Sequence, residues 1–155
     1  MRRVSKAGLP VFGILAVLMI SAVASAGSVN ESEGVALKGY DPVAYFTEHR
    51  AAKGSDQFTA LYQGATYKFE SAANRDAFKA NPAKYEPQYG GYCAYGVAGG
   101  HKADITPEAF TVVDGKLCLN YNKAVRFIWK RDTQGYISKA DQNWPTVSKT
   151  ADPAK

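Results

Sequence analysis

Hydrophobic and polar positions alternate in two stretches of the chain, and each stretch contains a turn signal. Phe58 to Gln63 and Thr66 to Glu70 are rich in aromatic and β-branched residues and flank Gly64, which predicts a β-hairpin. Phe110 to Tyr121 alternates around Asp114-Gly115. An Asp-Gly pair between alternating apolar residues is a strong hairpin signal, because glycine accepts the positive φ of a tight turn. The pattern therefore predicts two hairpins.

The spacing of apolar positions elsewhere is helical. Asp41-Pro42 predicts the start of a short helical turn, and Ser71 predicts the cap of a helix that runs to about Ala80 and ends at Asn81-Pro82. Helical spacing resumes at Lys123 and is broken near Gly135. The predicted fold class is α+β, a small single domain with two β-hairpins packed against several short helices.

The first 26 residues have the pattern of a secretory signal peptide. A basic start with Arg2, Arg3 and Lys6 precedes an uncharged run, and Ala24-Ser25-Ala26 closes it with small residues. The alternative is an uncleaved membrane anchor, which the small residues and the absence of a following basic cluster disfavour. We therefore expect a periplasmic or secreted protein. Its predicted parts are a signal peptide (1–26), a loose leader (27–36), one domain (37–147) and a flexible tail (148–155).

Charge gives little support for a polyanionic partner. The full chain carries a formal charge of +5, but the predicted signal peptide accounts for three basic residues and no acidic ones, so +2 remains. Charges of both signs are mixed along the rest of the sequence, as on a solvated surface. We expect no nucleic-acid partner and no stable membrane association after signal cleavage.

The most unusual segment surrounds Cys93, which lies beside Gly90-Gly91 and among four tyrosines. Glycine permits close backbone approach and positive φ, while tyrosine supplies rigid apolar surface with a polar tip. If Tyr89, Tyr92 and Tyr95 line a cavity with Cys93, they predict a site for a small aromatic or planar ligand. The alternative is that Cys93 is a small buried residue of a tyrosine-lined core.

Three further roles of Cys93 are open. With His101 it could hold a soft metal, a copper or zinc ion, although two ligands are too few for a closed site. With Cys118, the other cysteine of the chain, it could form a disulfide in an oxidising compartment, the alternative being two buried free thiols. A thiol-dependent redox reaction would need a group that lowers the pKa of Cys93. No catalytic residue is predicted.

Five motifs follow one another along the chain: Gly39-Tyr-Asp-Pro-Val-Ala-Tyr-Phe46, Tyr67-Lys-Phe-Glu-Ser71, Phe78-Lys-Ala-Asn-Pro-Ala-Lys-Tyr85, Gly90-Gly-Tyr-Cys-Ala-Tyr95 and Val113-Asp-Gly-Lys-Leu-Cys-Leu-Asn-Tyr-Asn122. In this order they resemble the exported YHS-domain proteins of bacteria. The likeness extends from about Gly34 to Pro145. It implies a small α+β domain of a group usually described as metal-related, without an established activity for this exported branch.

The sequence departs from the metal-binding members of that group. Where they carry cysteines, this chain has Ala44, Glu70 and Asn74, and replacing thiolates in this way removes the preference for copper(I) or zinc. The resulting prediction is an exported YHS-type binding domain with a metal ion or a small ligand near Cys93. The alternatives are a thiol-dependent redox protein using Cys93 with Cys118, or a purely structural or interaction domain.

Overall fold

The first predicted hairpin is the core of a four-stranded sheet. The computed structural model describes residues 29–154, and in it β3 (Ser55–Tyr62) and β4 (Ala65–Phe69) pair antiparallel across the turn at Gly64. Two short strands, β1 (Glu31–Ser32) and β2 (Val35–Ala36), complete the order β1-β2-β4-β3, with β2 parallel to β4. The hairpin prediction is confirmed, with each strand starting slightly earlier than expected.

The described part of the predicted loose leader is ordered in strands. Residues 29–36 contain β1 and β2, Val29 and Asn30 are buried, and the Asn30 N–H donates to the Gly90 carbonyl at 2.8 Å. Pairing with β2 satisfies backbone groups on the edge of β4 that would otherwise lack partners. Strands of two residues are too short to show an alternating pattern, so the hydrophobic periodicity does not predict them. The predicted signal peptide, residues 1–26, lies outside the described residues.

Two short helices begin close to the predicted positions, and a third, which was not predicted, follows them. Ahead of α1 (Ala44–Thr47), the Asp41 carboxylate accepts hydrogen bonds from the Val43 and Ala44 N–H groups. Before α2 (Ala72–Ala80), the Ser71 hydroxyl accepts from the Asn74 N–H at 3.1 Å. Pro82 ends α2 and begins α3 (Pro82–Tyr85), where a proline at the first position is favoured.

The second half contains the second hairpin and the longest helix described. The hairpin pairs β5 (Phe110–Val113) with β6 (Lys116–Leu119), as predicted. The helices are α4 (Ala94–Ala98), α5 (Lys123–Trp129) and α6 (Thr133–Val147). The break lies at Lys130–Asp132 and not at Gly135, which stands in the first turn of α6. Its N–H donates to the capping Asp132 carboxylate, and a Cβ there would clash with that carboxylate.

Two clusters of buried side chains lie on either side of β6. The first packs the four-stranded sheet, α2 and the β6 residues Leu117 and Leu119, while the second packs Cys118 with Trp129 and residues of α4 and α6. Neighbouring residues of a strand point to opposite faces, so one short strand serves both clusters. This arrangement is a small single-domain α+β fold, as the sequence predicted.

The C-terminal segment is tied to the domain. The Lys102 ammonium donates to the Thr150 carbonyl at 2.8 Å and to the Asp152 carboxylate at 2.9 Å, and the Tyr92 hydroxyl donates to Asp152 as well. The side chain of Lys102 is almost fully buried. The predicted flexible tail, 148–155, therefore contacts the domain through Asp152. The Asp152 carboxylate pairs with the buried Lys102 ammonium, a charge that would be costly to bury without a partner.

Candidate functional site

The Gly-Gly pair before Cys93 makes a left-handed turn. Tyr89 and Gly90 have φ of 56° and 60°, and Gly91 has φ of 85°. A Cβ on Gly91 would come within 3.2 Å of the Pro87 Cγ, so both the conformation and the space require glycine. A positive φ costs conformational energy at a tyrosine, so Tyr89 keeps this conformation only because surrounding contacts stabilise it. Its hydroxyl is held by Asp141, to which it donates at 2.8 Å.

The tyrosines of this segment point in different directions. Tyr85 packs edge-on against Phe46, with ring centroids 5.5 Å apart, and Tyr92 is fully buried. Tyr95 is 37% exposed and lies against Tyr136. Tyr89 lines a cleft that does not include Cys93. The predicted ligand-binding set of Cys93, Tyr89, Tyr92 and Tyr95 is thus not gathered around one cavity.

Cys93 immediately precedes α4, and its side chain is 1% exposed. The Tyr121 N–H donates to Sγ at 3.2 Å, and Sγ lies 3.7 Å from the Asn120 Oδ1. Burial raises the pKa of the Cys93 thiol, while backbone N–H groups, including those of Gly96 and Tyr121, oppose the rise in part. The arrangement holds a neutral thiol, which is a poor nucleophile.

The two groups predicted to act with Cys93 have other surroundings. His101 is exposed and lies beside the turn at Gly96 and Gly99. Cys118 is 1% exposed, and burial first, then the Asp141 charge, raises its pKa to about 12. Both cysteines are free thiols in the two different core clusters. Residues 29–154 contain no group of three His, Cys, Asp or Glu side chains that could hold a metal ion.

Ala44, Glu70 and Asn74 are joined by one buried carboxylate, that of Asp41. Asp41 is inaccessible to solvent, and its Oδ2 accepts from the Glu70 N–H at 2.9 Å and from the Asn74 Nδ2 at 2.7 Å. The Glu70 carboxylate turns outward to pair with Arg50. Asp41 therefore links α1, the end of β4 and α2, which is a structural role in keeping with its expected capping function.

One cleft, of about 500 Å³ beside Val35 and Lys38, has no aromatic residue in its lining. A second cleft, of about 280 Å³, lies beside Tyr89. Its walls combine three aromatic side chains with two carboxylates and no basic residue. The residues that line it are Gln63, Tyr67, Glu86, Pro87, Gln88, Tyr89, Gly90, Asp141 and Trp144. We call this feature the Tyr89 cleft.

Electrostatics of the Tyr89 cleft are set by its two acids. Burial raises the pKa of Glu86, while a hydrogen bond with Tyr62 opposes the rise. Gln63 Nε2 donates to the Glu86 carboxylate at 3.4 Å. Burial, and then the hydrogen bond and charge of Asp141, raises the pKa of Tyr89, so its phenol stays neutral and donates to Asp141. The cleft is thus a negatively charged recess with a mainly polar lining, in which Tyr67 and Tyr89 are 2% and 6% exposed.

Tyr89 is the one residue of the cleft lining that the sequence predicted as a ligand-binding residue. Glu86 lies within the segment that the composition singled out, so its proximity could have been anticipated. Asp141 and Trp144 lie on α6, more than fifty positions away, and only the packing of α6 against the Tyr89 turn brings them there. No short-range pattern signals such a contact.

Comparison with known proteins gives no match for the chain, whether among protein-family models, curated proteins or solved structures. The resemblance to exported YHS-domain proteins therefore stays a prediction. Within residues 29–154, none of the helices has the length and apolar character needed to cross a membrane.

Proposed function

We propose that this protein is an exported binding domain for a small organic cation, which it holds in the Tyr89 cleft. The single observation that carries the proposal is the composition of the walls: Tyr67, Tyr89 and Trp144 stand with Glu86 and Asp141 around one recess. The faces of aromatic rings attract cations, and carboxylates neutralise the charge that is removed from water. A ligand combining positive charge with an apolar surface satisfies both kinds of wall.

The volume of the cleft limits the ligand to a small molecule. Pockets for drug-sized ligands are usually about 300–1,000 Å³, and the cleft measures about 280 Å³. A quaternary ammonium such as choline is of suitable size, as is a short primary amine. An anionic ligand is disfavoured because it would face two carboxylates without a basic residue in the lining.

The proposed ligand is a small molecule, as the sequence predicts, but its proposed site is the Tyr89 cleft and not the surroundings of Cys93. A copper or zinc ion at Cys93 and His101 stays a prediction, as does the redox role of Cys93 with Cys118. Export to the periplasm or beyond likewise rests on residues 1–26. The proposed role is binding, and it assigns no catalytic residue.

Calorimetric titration with choline and with 3,3-dimethyl-1-butanol tests the proposal. The second compound is the neutral counterpart of choline, with carbon in place of the charged nitrogen, so the pair isolates the contribution of charge. We expect choline to bind and the neutral counterpart to bind at least tenfold more weakly. Equal binding of the two compounds, or no binding of choline, tetramethylammonium or ethylammonium, would contradict the proposal.

Variants of the two carboxylates locate the site in the same titration. Glu86→Gln and Asp141→Asn keep the shape of the side chains and remove one charge each. We expect each to weaken choline binding about tenfold, equivalent to about 1.4 kcal/mol. Glu48→Gln is the matched control, because Glu48 pairs with Arg50 and does not line the cleft. Its affinity should equal that of the parent.

The affinity should also depend on pH in a defined direction. Because burial raises the pKa of Glu86 above the usual 4.5, protonation of this carboxyl begins at a higher pH than in an exposed glutamate. The cation favours the ionised form, so affinity is greatest above the raised pKa and falls as the pH is lowered through it. Glu86→Gln should lose this part of the pH dependence.

A further inference from the structure

Exposed apolar side chains are concentrated on one short part of the fold. Tyr121, Phe127 and Ile128 are 54%, 66% and 42% exposed. Phe127 and Ile128 lie on α5, directly before the fully buried Trp129 in sequence, and Tyr121 lies two residues before the helix begins. Exposed apolar clusters with polar rims commonly mark interaction sites. We call Tyr121, Lys123, Phe127, Ile128, Lys130 and Arg131 the α5 face.

Basic residues flank these apolar side chains at helical spacing. Lys123 and Phe127 are four residues apart on α5, so they lie along one line of the helix surface, and Arg131 follows in the short turn Lys130–Asp132. The Arg131 guanidinium lies 5.5 Å from the centroid of the Phe127 ring. Lys130 is exposed beside them. The apolar surface is therefore bordered by three exposed cations.

This positive charge is local. Residues 121–132 contain four basic side chains and one acidic side chain, a net of +3, whereas the chain without residues 1–26 carries +2 in total. The one acid, Asp132, accepts a hydrogen bond from the Gly135 N–H at the start of α6. Arg126 is turned inward to Thr111, with Nε 3.0 Å from its hydroxyl. The face presents cations and apolar groups to the outside.

We propose that the α5 face docks the protein peripherally on an anionic lipid surface. Basic side chains near such a surface are each attracted by about fivefold in binding, and exposed apolar side chains gain further by entering the interface between headgroups and acyl chains. A soluble polyanion would attract the basic side chains but would not bury Phe127 and Ile128. A lipid surface accounts for both, so we favour it. Docking of this kind is reversible and weakened by salt, which agrees with the expected absence of stable membrane association.

Vesicle sedimentation tests this inference. The protein is expressed from the full-length gene, and the N-terminus of the purified protein is identified from its intact mass. The vesicles contain phosphatidylcholine alone or with 30% phosphatidylglycerol. We expect binding to the anionic vesicles at low salt, loss of that binding at high salt, and little binding to neutral vesicles. Equal binding to both vesicle types, or none to either, would overturn the inference.

Matched variants show whether the α5 face is responsible. The double variant Lys130→Gln/Arg131→Gln should weaken vesicle binding about 25-fold, at about fivefold per charge. The double variant Lys79→Gln/Lys149→Gln removes the same number of charges elsewhere and should bind closer to the parent protein. Phe127→Ser should weaken binding severalfold. Its control is Leu61→Ser, which removes another exposed apolar side chain, 77% exposed, from β3. A Phe127→Ser variant that binds like the parent, with heparin competing fully, would indicate a polyanion site and refute the lipid proposal.

Discussion

At the scale of single residues, the structure separates the unusual chemistry of the Cys93 segment from its most suitable binding site. Cys93 Sγ contacts the Asn120 side chain and the Tyr121 backbone N–H in the interior, while Tyr89, four positions earlier, lines the recess with Glu86. Neighbouring side chains diverge because the left-handed turn at Tyr89 and Gly90 reverses the direction of the backbone. A cluster of rare residue types in sequence is therefore not a cluster in space.

The burial of both thiols leads to a prediction about their reactivity. Cys93 and Cys118 are each 1% exposed, and burial raises the pKa of both, that of Cys118 to about 12. Since the thiolate is the reactive form, neither should react appreciably with a disulfide-exchange reagent at pH 8 in the native protein, and both should react in denaturant. One rapidly reacting native thiol would support the redox alternative. No thiols in denaturant without reductant would indicate a disulfide.

At the scale of elements, the turn before Cys93 depends on close packing as well as on backbone conformation. Gly91→Ala would combine an unfavourable positive φ with a Cβ 3.2 Å from Pro87 Cγ. We expect a loss of about 2–3 kcal/mol in the free energy of unfolding, measured by denaturant titration. Gly34→Ala is the matched control, because Gly34 has φ of 80° but nothing within 4 Å of its Cβ position. It should lose only about 1 kcal/mol, and equal losses would refute the packing argument.

The elements that the sequence predicted are those with strong local signals. Asp114-Gly115 and the Ser71 cap specify a hairpin and a helix start within a few residues, and both are present. The strands β1 and β2 have no such signal, since each consists of two residues and forms only through pairing within the sheet. The prediction of a helix break near Gly135 is wrong because it rests on the general tendency of glycine to interrupt a helical pattern. Here Gly135 instead makes room for the Asp132 cap.

At the scale of the whole molecule, the Tyr89 cleft exists because the two core clusters meet there. Tyr67 belongs to the first cluster, and Tyr89 packs in the second together with Trp144. Asp141 reaches the cleft from α6, which also caps the end of α4 when Asn143 Nδ2 donates to the Val97 and Ala98 carbonyls. The fold class could be predicted from local patterns, but this site could not, because it depends on contacts between distant segments.

The most direct test of the account is to map where a cation binds by two-dimensional ¹H–¹⁵N NMR during a titration with choline. We expect the largest shifts at the Trp144 indole N–H and at the backbone amides of 86 and 88–90, with little change at Cys93, His101 and Cys118. In Glu86→Gln the same shifts should need about tenfold more choline to reach saturation. Shifts centred on Cys93 and His101, or no shifts at millimolar choline, would contradict the assignment of the Tyr89 cleft as the binding site.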